Sequence, residues 1–228
     1  MARGEEDLRA LADELDGDPV VLPADVTDRA AVEAAIAHFA EEAGPPQLLV
    51  ANAGIARYAP FADQEIETAE AMVRVNVLGV LYTVNAALPL MLDRAEGHVV
   101  IVSSGAGLRA FPWAAVYGAT KAADRAFAEA LRHELSGTGV SVTTVFPGEV
   151  ETDLHAGREE RLPDWRDSDG AIPAERVAEA LVKAVESDER AVYVPGLIRV
   201  LGVNGVAPRI TDRLLATLRG YTAAPRRD

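Results

Sequence analysis

The sequence predicts an α/β fold in which one parallel β-sheet is covered by helices on both faces. Short segments rich in valine, isoleucine and leucine alternate with longer amphipathic segments along most of the chain. These short segments are apolar along their whole length, which is typical of parallel strands buried on both faces. With 228 residues, of which 49% are hydrophobic and 25% charged, the chain fits a single globular domain over 1–228.

The first part of the chain supplies two helices and two strands. Glu5–Leu15 has apolar residues three and four apart, which is the spacing of one helix face. Val20–Pro23 is short and apolar, as a strand is. Thr27 is a candidate N-cap for a helix that runs to about Glu42, and Gln47–Ala51 is the next apolar strand.

The middle of the chain alternates long helices with buried strands. Gln64–Arg94 is predicted to be largely one long helix. The strands are His98–Ser103 (HVVIVS) and Val140–Phe146 (VSVTTVF), with the helix Ala114–Leu135 between them. A polar loop with charges of both signs follows over Glu149–Ile172 and is a candidate substrate loop.

The last part of the chain adds a helix over Pro173–Ser187, a final strand over Ala191–Val194 and an amphipathic segment over Leu197–Tyr221. The amphipathic segment interleaves apolar residues with arginines. It has three open roles: packing on the core or on a second subunit, covering a substrate pocket, or touching a membrane surface. The net charge of −14 disfavours anionic lipid as its partner.

Composition excludes several classes of protein and site. The net charge of −14 disfavours nucleic acid, and the absence of cysteine excludes disulfides and thiolate metal sites. Val75–Leu92 carries no charge and nears membrane-spanning length, but polar residues and a proline within it favour a buried helix. The charged opening of the chain is unlike a signal peptide, so a cytoplasmic location is predicted. No metal is expected, because metal-ligand spacing is missing around His38, His98, His133 and His155.

Unusual residues follow the predicted strands, each time at the point where the strand ends. Asp25 follows the first strand, Asn52–Gly54 the second, Ser103-Ser104 the third and Pro147-Gly148 the fourth. Because the carboxyl ends of parallel strands lie at one edge of the sheet, these four loops converge where open α/β folds bind ligands. Asp25 has a simpler alternative role, which is to begin the helix after Thr27.

Tyr117 and Lys121 form the main candidate catalytic pair. They are four residues apart near the start of a helix and therefore share one face. A tyrosine hydroxyl is ordinarily too weak an acid for proton transfer near neutrality, and a neighbouring cation favours its phenolate form. Lys121 is one of two lysines in a chain with 20 arginines, and an ammonium also reaches ribose hydroxyls. Ser104 comes thirteen residues before Tyr117, where its hydroxyl can hydrogen-bond a carbonyl oxygen that Tyr117 protonates.

Taken together, these residues resemble the short-chain dehydrogenase/reductase family over nearly the whole stretch from Arg3 to Pro195. The family's serine, tyrosine and lysine correspond to Ser104, Tyr117 and Lys121. The resemblance implies a Rossmann-like, doubly wound sheet and NAD(P)-dependent interconversion of a secondary alcohol and a ketone. The asparagine of the family's long helix corresponds to the Asn76 in VRVNVLG, which would order a water linking the lysine to solvent.

Further motifs extend the resemblance. Asp25-Val26 corresponds to the family's Asp-Val beside adenine, and Ala51–Gly54 to its Asn-Asn-Ala-Gly with the first Asn replaced by Ala. Pro147–Thr152 matches Pro-Gly-x-Val-x-Thr and implies that Thr152 lies near the nicotinamide carboxamide. The implied cofactor contacts are Arg3, Asp25, Val26, Asn52, Ala53, Gly54, Tyr117, Lys121, Pro147, Gly148, Val150 and Thr152.

Arg3 bears on the choice of cofactor. It ends the presumed second strand of the family's fold, and Ala2 stands where an acidic residue would bind ribose hydroxyls. Arginine there can pair with a 2′-phosphate, so NADP(H) is predicted over NAD(H).

The family's opening strand, glycine-rich turn, helix and second strand are expected to be missing ahead of Met1–Arg3. Gly4 and Gly17 lack the spacing of that turn. A misassigned start codon, a shortened product or a fragment would each explain such a truncation. In the usual strand order, Val20–Pro23 would then either stand across a gap two strands wide or pair with Gln47–Ala51. The gap would make the chain marginally stable.

Two alternatives to an active oxidoreductase remain. The first is an inert, truncated remnant that acts through interaction surfaces, such as the long helices that would pair subunits as a homodimer or homotetramer. The second is a sugar-nucleotide epimerase or dehydratase, which shares Tyr-x-x-x-Lys but needs a larger domain than the residues after Thr152 provide. Phe111–Trp113 also has two open interpretations, as core or as an apolar pocket wall.

Overall fold

A computed structural model describes residues 1–151 and 170–205. Four parallel strands form one sheet in the order β1-β2-β3-β4, which confirms the predicted parallel sheet from Gln47 onward. The strands begin and end within a residue or so of the predicted bounds. They are β1 (Leu48–Ala51), β2 (Gly97–Val102), β3 (Val140–Pro147) and β4 (Ala191–Val194).

Seven α-helices surround or flank the sheet in the described part of the chain. A 3₁₀ turn over Phe61–Asp63 precedes α3, a π-helical turn over Arg74–Leu78 joins α3 to α4, and a 3₁₀ helix spans Gly196–Gly205. The helices are α1 (Glu5–Glu14), α2 (Arg29–Ala43), α3 (Ile66–Val73), α4 (Gly79–Arg94), α5 (Gly105–Leu108), α6 (Ala115–Glu134) and α7 (Ala174–Glu186).

Two apolar cores cover the two faces of the sheet. Successive side chains of a strand point to opposite faces, and β2 accordingly divides its residues between the cores. Val99 and Ile101 belong to the larger core with α2, α4 and α6, whereas Val100 packs with Ala184 of α7. The covered faces explain why β2 is apolar along most of its length.

Val20–Pro23 is not a strand, and this part of the sequence-based prediction was wrong. It makes one isolated parallel bridge, between Pro23 and Ala2, with the Ala24 N–H donating to the Ala2 carbonyl at 2.9 Å. A cavity of about 690 Å³ lies between this segment and β1. The segment therefore stands across a gap from β1, and no ladder of hydrogen bonds is available to define a strand.

The predicted N-cap of α2 was also wrong by one residue. Asp28 is the N-cap, and its carboxylate accepts a hydrogen bond from the Ala31 N–H at 3.1 Å. Thr27 instead donates both its backbone N–H and its hydroxyl to Asp25 Oδ1, each at 2.8 Å. The threonine hydroxyl is engaged upstream, so the next acceptor along the chain caps the helix.

The predicted long helix runs from Ile66 to Arg94 and contains the π turn. Within the described residues it is the one helical stretch long and apolar enough to cross a membrane. In the structure α4 packs against α2, β1 and β2, and side chains such as Val84 and Met91 are buried in the larger core. This packing agrees with the interpretation of Val75–Leu92 as a buried helix.

Candidate active site

Ser104 lies at the carboxyl end of β2, at the centre of the candidate site. It is half-buried and is the N-cap of α5, where its Oγ accepts a hydrogen bond from the Ala106 N–H at 3.1 Å. A serine hydroxyl can accept and donate at the same time, so the Oγ–H remains available to a ligand. Ser104 is therefore placed to donate a hydrogen bond at this edge of the sheet.

Tyr117 lies in the first turn of α6 and is 8% exposed. Its ring packs with Ala56, Met72 and Ala106 in a small apolar cluster. The Tyr58 ring meets it edge-on, with centroids 6.0 Å apart and an interplanar angle of 74°. These contacts from three other segments fix the ring of Tyr117.

Lys121 follows one helical turn later and is buried. Its Nζ donates to the Val102 carbonyl at 2.8 Å and to Asp124 Oδ2 at 3.0 Å. The Ser103 Oγ donates to the Lys121 backbone carbonyl at 2.7 Å. The lysine is thus tied to the end of β2 by both its backbone and its side chain.

Asp124 is a residue that the sequence-based prediction missed. Its carboxylate is buried beside the Lys121 ammonium. Burial raises the pKa of Asp124 above its usual range, while the charge and hydrogen bond of Lys121 oppose that shift. The signal in the sequence is the Lys-x-x-Asp spacing, which places both side chains on one helix face.

Asn76 is buried in the π turn and joins three segments. Its Oδ1 accepts from the Ile55 N–H at 2.8 Å, and its Nδ2 donates to the Ile55 carbonyl at 2.9 Å and to Thr120 Oγ1 at 3.0 Å. Thr120 Oγ1 in turn donates to the Tyr117 carbonyl at 2.7 Å. The side chain of Asn76 therefore connects the loop after β1 to the helix that carries Tyr117.

Gly54 brings the loop after β1 close to this group. A Cβ atom at Gly54 would lie 3.5 Å from Asn76 Oδ1 and 3.6 Å from Lys121 Nζ. The Asn52–Gly54 loop, the π turn and α6 consequently meet at one place.

Six of the predicted cofactor contacts line the cavity of about 690 Å³ beside β1. Thr27 lowers the pKa of Asp25 through its backbone and hydroxyl hydrogen bonds, and the nearby Arg3 charge lowers it further. Val26 packs so closely on Gly79 that a Cβ there would lie 2.8 Å from Val26 Cγ2. The six are Arg3, Asp25, Val26, Asn52, Ala53 and Gly54.

The predicted contacts Pro147, Gly148 and Val150 lie at the end of β3 and just after it. Pro147 ends β3, and the Gly148 N–H donates to the Val194 carbonyl at 2.7 Å. A Cβ at Gly148 would lie 2.8 Å from Ile198 Cδ1, so only glycine fits without rearrangement. Val150 bridges Ile172. Thr152 and most of the predicted 149–172 loop lie outside the described residues, as does the Leu197–Tyr221 segment beyond residue 205.

Phe111 and Trp113, the aromatic residues before Tyr117, differ in their burial. Phe111 packs against the cluster around Tyr117 and is half-buried. Trp113 is 40% exposed and has a φ of 70°, and its carbonyl accepts from the Ala59 N–H at 3.0 Å. Phe111 is therefore part of the core, while Trp113 is on the surface.

Among residues 1–151 and 170–205, no group of three or more histidine or acidic side chains is placed to hold a metal ion. His98 is buried between strands, and its Nε2 lies 2.8 Å from Thr143 Oγ1. Since that hydroxyl donates to the Glu189 carbonyl, the imidazole Nε2 must donate to it. His98 is thus a hydrogen-bonded core residue, and His155 lies outside the described residues.

Comparison with known proteins adds three findings. The family model for short chain dehydrogenases matches residues 1–163. An uncharacterised oxidoreductase of Staphylococcus aureus strain MW2 is 36% identical over 155 residues, which are 68% of this chain and 67% of that protein. Glycine betaine reductase ATRR of Emericella nidulans is 37% identical over 174 residues, which are 75% of this chain and 14% of that protein.

A solved structure agrees with these similarities. The closed form of serine dehydrogenase complexed with NADP+ is 32% identical and superposes with a TM-score of 0.76. The match covers 84% of this chain and 82% of that one. The shared fold therefore extends over most of both chains.

Proposed function

The chain belongs to the short-chain dehydrogenase family of oxidoreductases, and we propose that it interconverts a secondary alcohol and a ketone with a nicotinamide cofactor. One observation carries the proposal. Ser104, Tyr117 and Lys121 are positioned by the end of β2 and the first turns of α6, and Asn76 ties this helix to the loop after β1. Proton transfer to a substrate oxygen needs such a pre-arranged donor.

Tyr117 is the proposed acid and base. In the reducing direction its hydroxyl gives a proton to the substrate oxygen, and in the oxidising direction its phenolate removes one. Ser104 donates a hydrogen bond to the same oxygen and so orients it. Lys121 is the proposed neighbour of Tyr117 on the same face of α6, and Asn76 is the proposed next member of a proton relay.

The cofactor proposal rests on the cavity beside β1. Among its lining residues, Asp25, Val26 and Asn52–Gly54 suit the adenine and ribose portions of a dinucleotide. A bound nicotinamide would supply the hydride acceptor or donor. Lys121 would bind ribose hydroxyls, while Pro147, Gly148, Val150 and Thr152 would bind near the nicotinamide. Arg3, beside Asp25, favours NADP(H) over NAD(H) in this proposal.

The proposed partners are a small alcohol or ketone and a second copy of the chain. α4 and α6 are the long helices through which a homodimer or homotetramer would pair. We further propose that the protein acts in the cytoplasm. We also propose that it binds no nucleic acid, which its net charge of −14 supports.

The test is cofactor binding followed by turnover. NADPH and NADH are titrated by fluorescence into the purified protein, and rates are then measured with a panel of secondary alcohols and ketones. Binding with turnover that needs Tyr117 supports the proposal. Absence of both, with the protein folded, contradicts it.

A second candidate is a non-catalytic interaction protein. It is favoured by the outer edge of β1, where Leu48 and Val50 are 44% and 41% exposed. An exposed apolar edge strand is a template for pairing with another chain. A folded protein that binds no cofactor but self-associates, with Val50→Lys abolishing that association, would favour this candidate.

A further inference from the structure

We propose that Asp124 is a positioning residue that fixes the ammonium group of Lys121 at the carboxyl end of β2. The inference rests on the proposed function of Lys121 beside Tyr117. It starts from the ion pair between Lys121 Nζ and Asp124 Oδ2, which are 3.0 Å apart.

The pair is buried far more than an ordinary helix-surface pair. The side chains of Lys121 and Asp124 are 5% and 2% exposed, whereas Arg9 and Glu5 of α1 form an exposed pair. Taking one charge alone out of water is strongly unfavourable, and a hydrogen-bonded partner offsets that cost. Asp124 therefore allows Lys121 to carry its charge inside the site.

The surroundings leave Lys121 little freedom to move. Its Nζ donates to the Val102 carbonyl at 2.8 Å, and its own carbonyl accepts from Ser103 Oγ at 2.7 Å. Gly107 of α5 packs against the same backbone, since a Cβ there would lie 2.6 Å from the Lys121 carbonyl oxygen. The backbone is thus held from β2 and α5, and Asp124 holds the side chain from α6 itself.

The number of N–H groups on the Lys121 ammonium shows how many are left to contact Tyr117 or a ligand. An ammonium group has three N–H donors, and Val102 and Asp124 accept two of them. Nζ lies 3.6 Å from where a Gly54 Cβ would be, so it borders the loop after β1. One N–H is left for the Tyr117 hydroxyl or a ribose hydroxyl. By occupying one of the other two, Asp124 restricts how the third can be directed.

The first test detects the contact between Lys121 and Asp124 directly and needs no bound cofactor. The chain has two lysines, so labelling lysine with ¹⁵N at Nζ gives two signals, from buried Lys121 and exposed Lys183. We expect the Lys121 ammonium protons to exchange with water at least about tenfold more slowly, as one charge-assisted hydrogen bond implies. Asp124→Asn should shift the Lys121 signal and speed its exchange, while Glu134→Gln, at an exposed position of α6, should change neither.

Two results would overturn the proposal: a Lys121 exchange rate equal to that of Lys183, or a Lys121 signal that Asp124→Asn leaves unchanged. Circular dichroism establishes whether each variant is folded. If Asp124→Asn does not fold, Asp124→Glu keeps the charge on a longer side chain and should still shift the signal. An unchanged signal in that variant would equally overturn the proposal.

The second test measures whether the contact between Lys121 and Asp124 affects turnover. Asp124→Glu should lower kcat at least about tenfold through misplacement of Lys121, with KM for the alcohol within about twofold. If Asp124 had a purely structural role, Asp124→Glu would change the free energy of unfolding and leave kcat and KM unaltered. That result would contradict positioning. If the unsubstituted protein shows no turnover, the proposed function fails, and the Lys121 signal still decides the role of Asp124.

Discussion

The carboxamide of Asn76 holds the backbone of Ile55 at two points, with its Oδ1 2.8 Å from the Ile55 nitrogen and its Nδ2 2.9 Å from the Ile55 carbonyl oxygen. A side chain in a helix thereby satisfies both polar groups of a loop residue. It is this contact that fastens the loop after β1 to the π turn, and Thr120 extends the connection to α6.

Asn76→Ala should therefore destabilise the fold. It leaves the N–H and C=O of Ile55 without their partner, and each unpaired buried group costs about 1–3 kcal/mol. We expect the free energy of unfolding in urea to fall by about 2–4 kcal/mol. Asn85→Ala, at an exposed site of the same long helix, is the matched control and should change it little. Equal effects of the two substitutions would contradict this reading of Asn76.

Tyr117→Phe should abolish most turnover and keep the fold. The substitution removes the proton donor, so kcat should fall at least about 10²-fold, the scale of general acid catalysis. Cofactor affinity should be nearly unchanged, because the ring and its contact with Tyr58 remain. Tyr82→Phe on α4 is the control. Near-normal kcat in the Tyr117 variant would show that another group transfers the proton.

His98 should make the stability of the fold depend on pH. Burial lowers the pKa of His98 below its ordinary value of 6.5, so the folded protein binds this proton less readily than the unfolded chain. The stability that neutral His98 contributes is fully present above pH 6.5. It is lost as the pH falls through the lower pKa that His98 has in the folded protein.

The measurement for His98 is a series of urea denaturations between pH 5 and pH 8. Subtracting the profile of His98→Gln from that of the unsubstituted protein isolates this group, and the difference should shrink as the pH falls below 6.5. His133→Gln, at an exposed site on α6, should leave the profile as it is. Parallel profiles for the protein and His98→Gln would be the contrary result.

Arg3→Ala should weaken NADPH binding selectively. The loss of one arginine–phosphate contact is expected to cost about tenfold in Kd for NADPH and to leave Kd for NADH within about twofold. Arg9→Ala on α1 removes a nearby charge and serves as the control. The two affinities are compared by fluorescence titration. A preference of the unsubstituted protein for NADH would refute the assignment of Arg3.

The Lys121–Asp124 pair should show strong coupling in a double-mutant cycle. Lys121→Met or Asp124→Leu alone leaves one buried charge without its partner and should cost about 3–5 kcal/mol. The double variant buries no charge and should lose less than the sum of the two. Thermal and urea unfolding of the four proteins give the coupling energy. Additive losses would mean that the two groups do not interact in solution.

The strands could be predicted because their signal is local. β2 is an almost continuous apolar run and β3 is rich in valine and threonine, and burial on both faces of a sheet favours such residues whatever their neighbours are. Val20–Pro23 has the same local signal but no strand beside it to complete a ladder. Strand pairing depends on residues distant in the sequence. The segment itself therefore gives no sign that it lacks a partner strand.

The residues of the candidate site differ in how clearly the sequence indicates them. Ser104, Tyr117 and Lys121 have a characteristic spacing, and Asn52–Gly54 has a turn signal at a strand end. Asp124 has only the Lys-x-x-Asp spacing, which on a helix ordinarily describes an exposed pair. Its burial follows from α5 and β2 packing over that face of α6, which no pattern within α6 encodes.

The burial of Lys121 also determines where the protein can be labelled. Acylating reagents need an accessible, unprotonated amine, and the ammonium of Lys121 is enclosed and paired with a carboxylate. Lys183, the other lysine, is exposed on α7, which packs against β3 and β4, at the opposite end of the sheet from the cavity beside β1. Apart from the chain's amino terminus, a succinimidyl ester should therefore attach a dye or a solid support at one defined point, with the residues around Ser104 left unmodified.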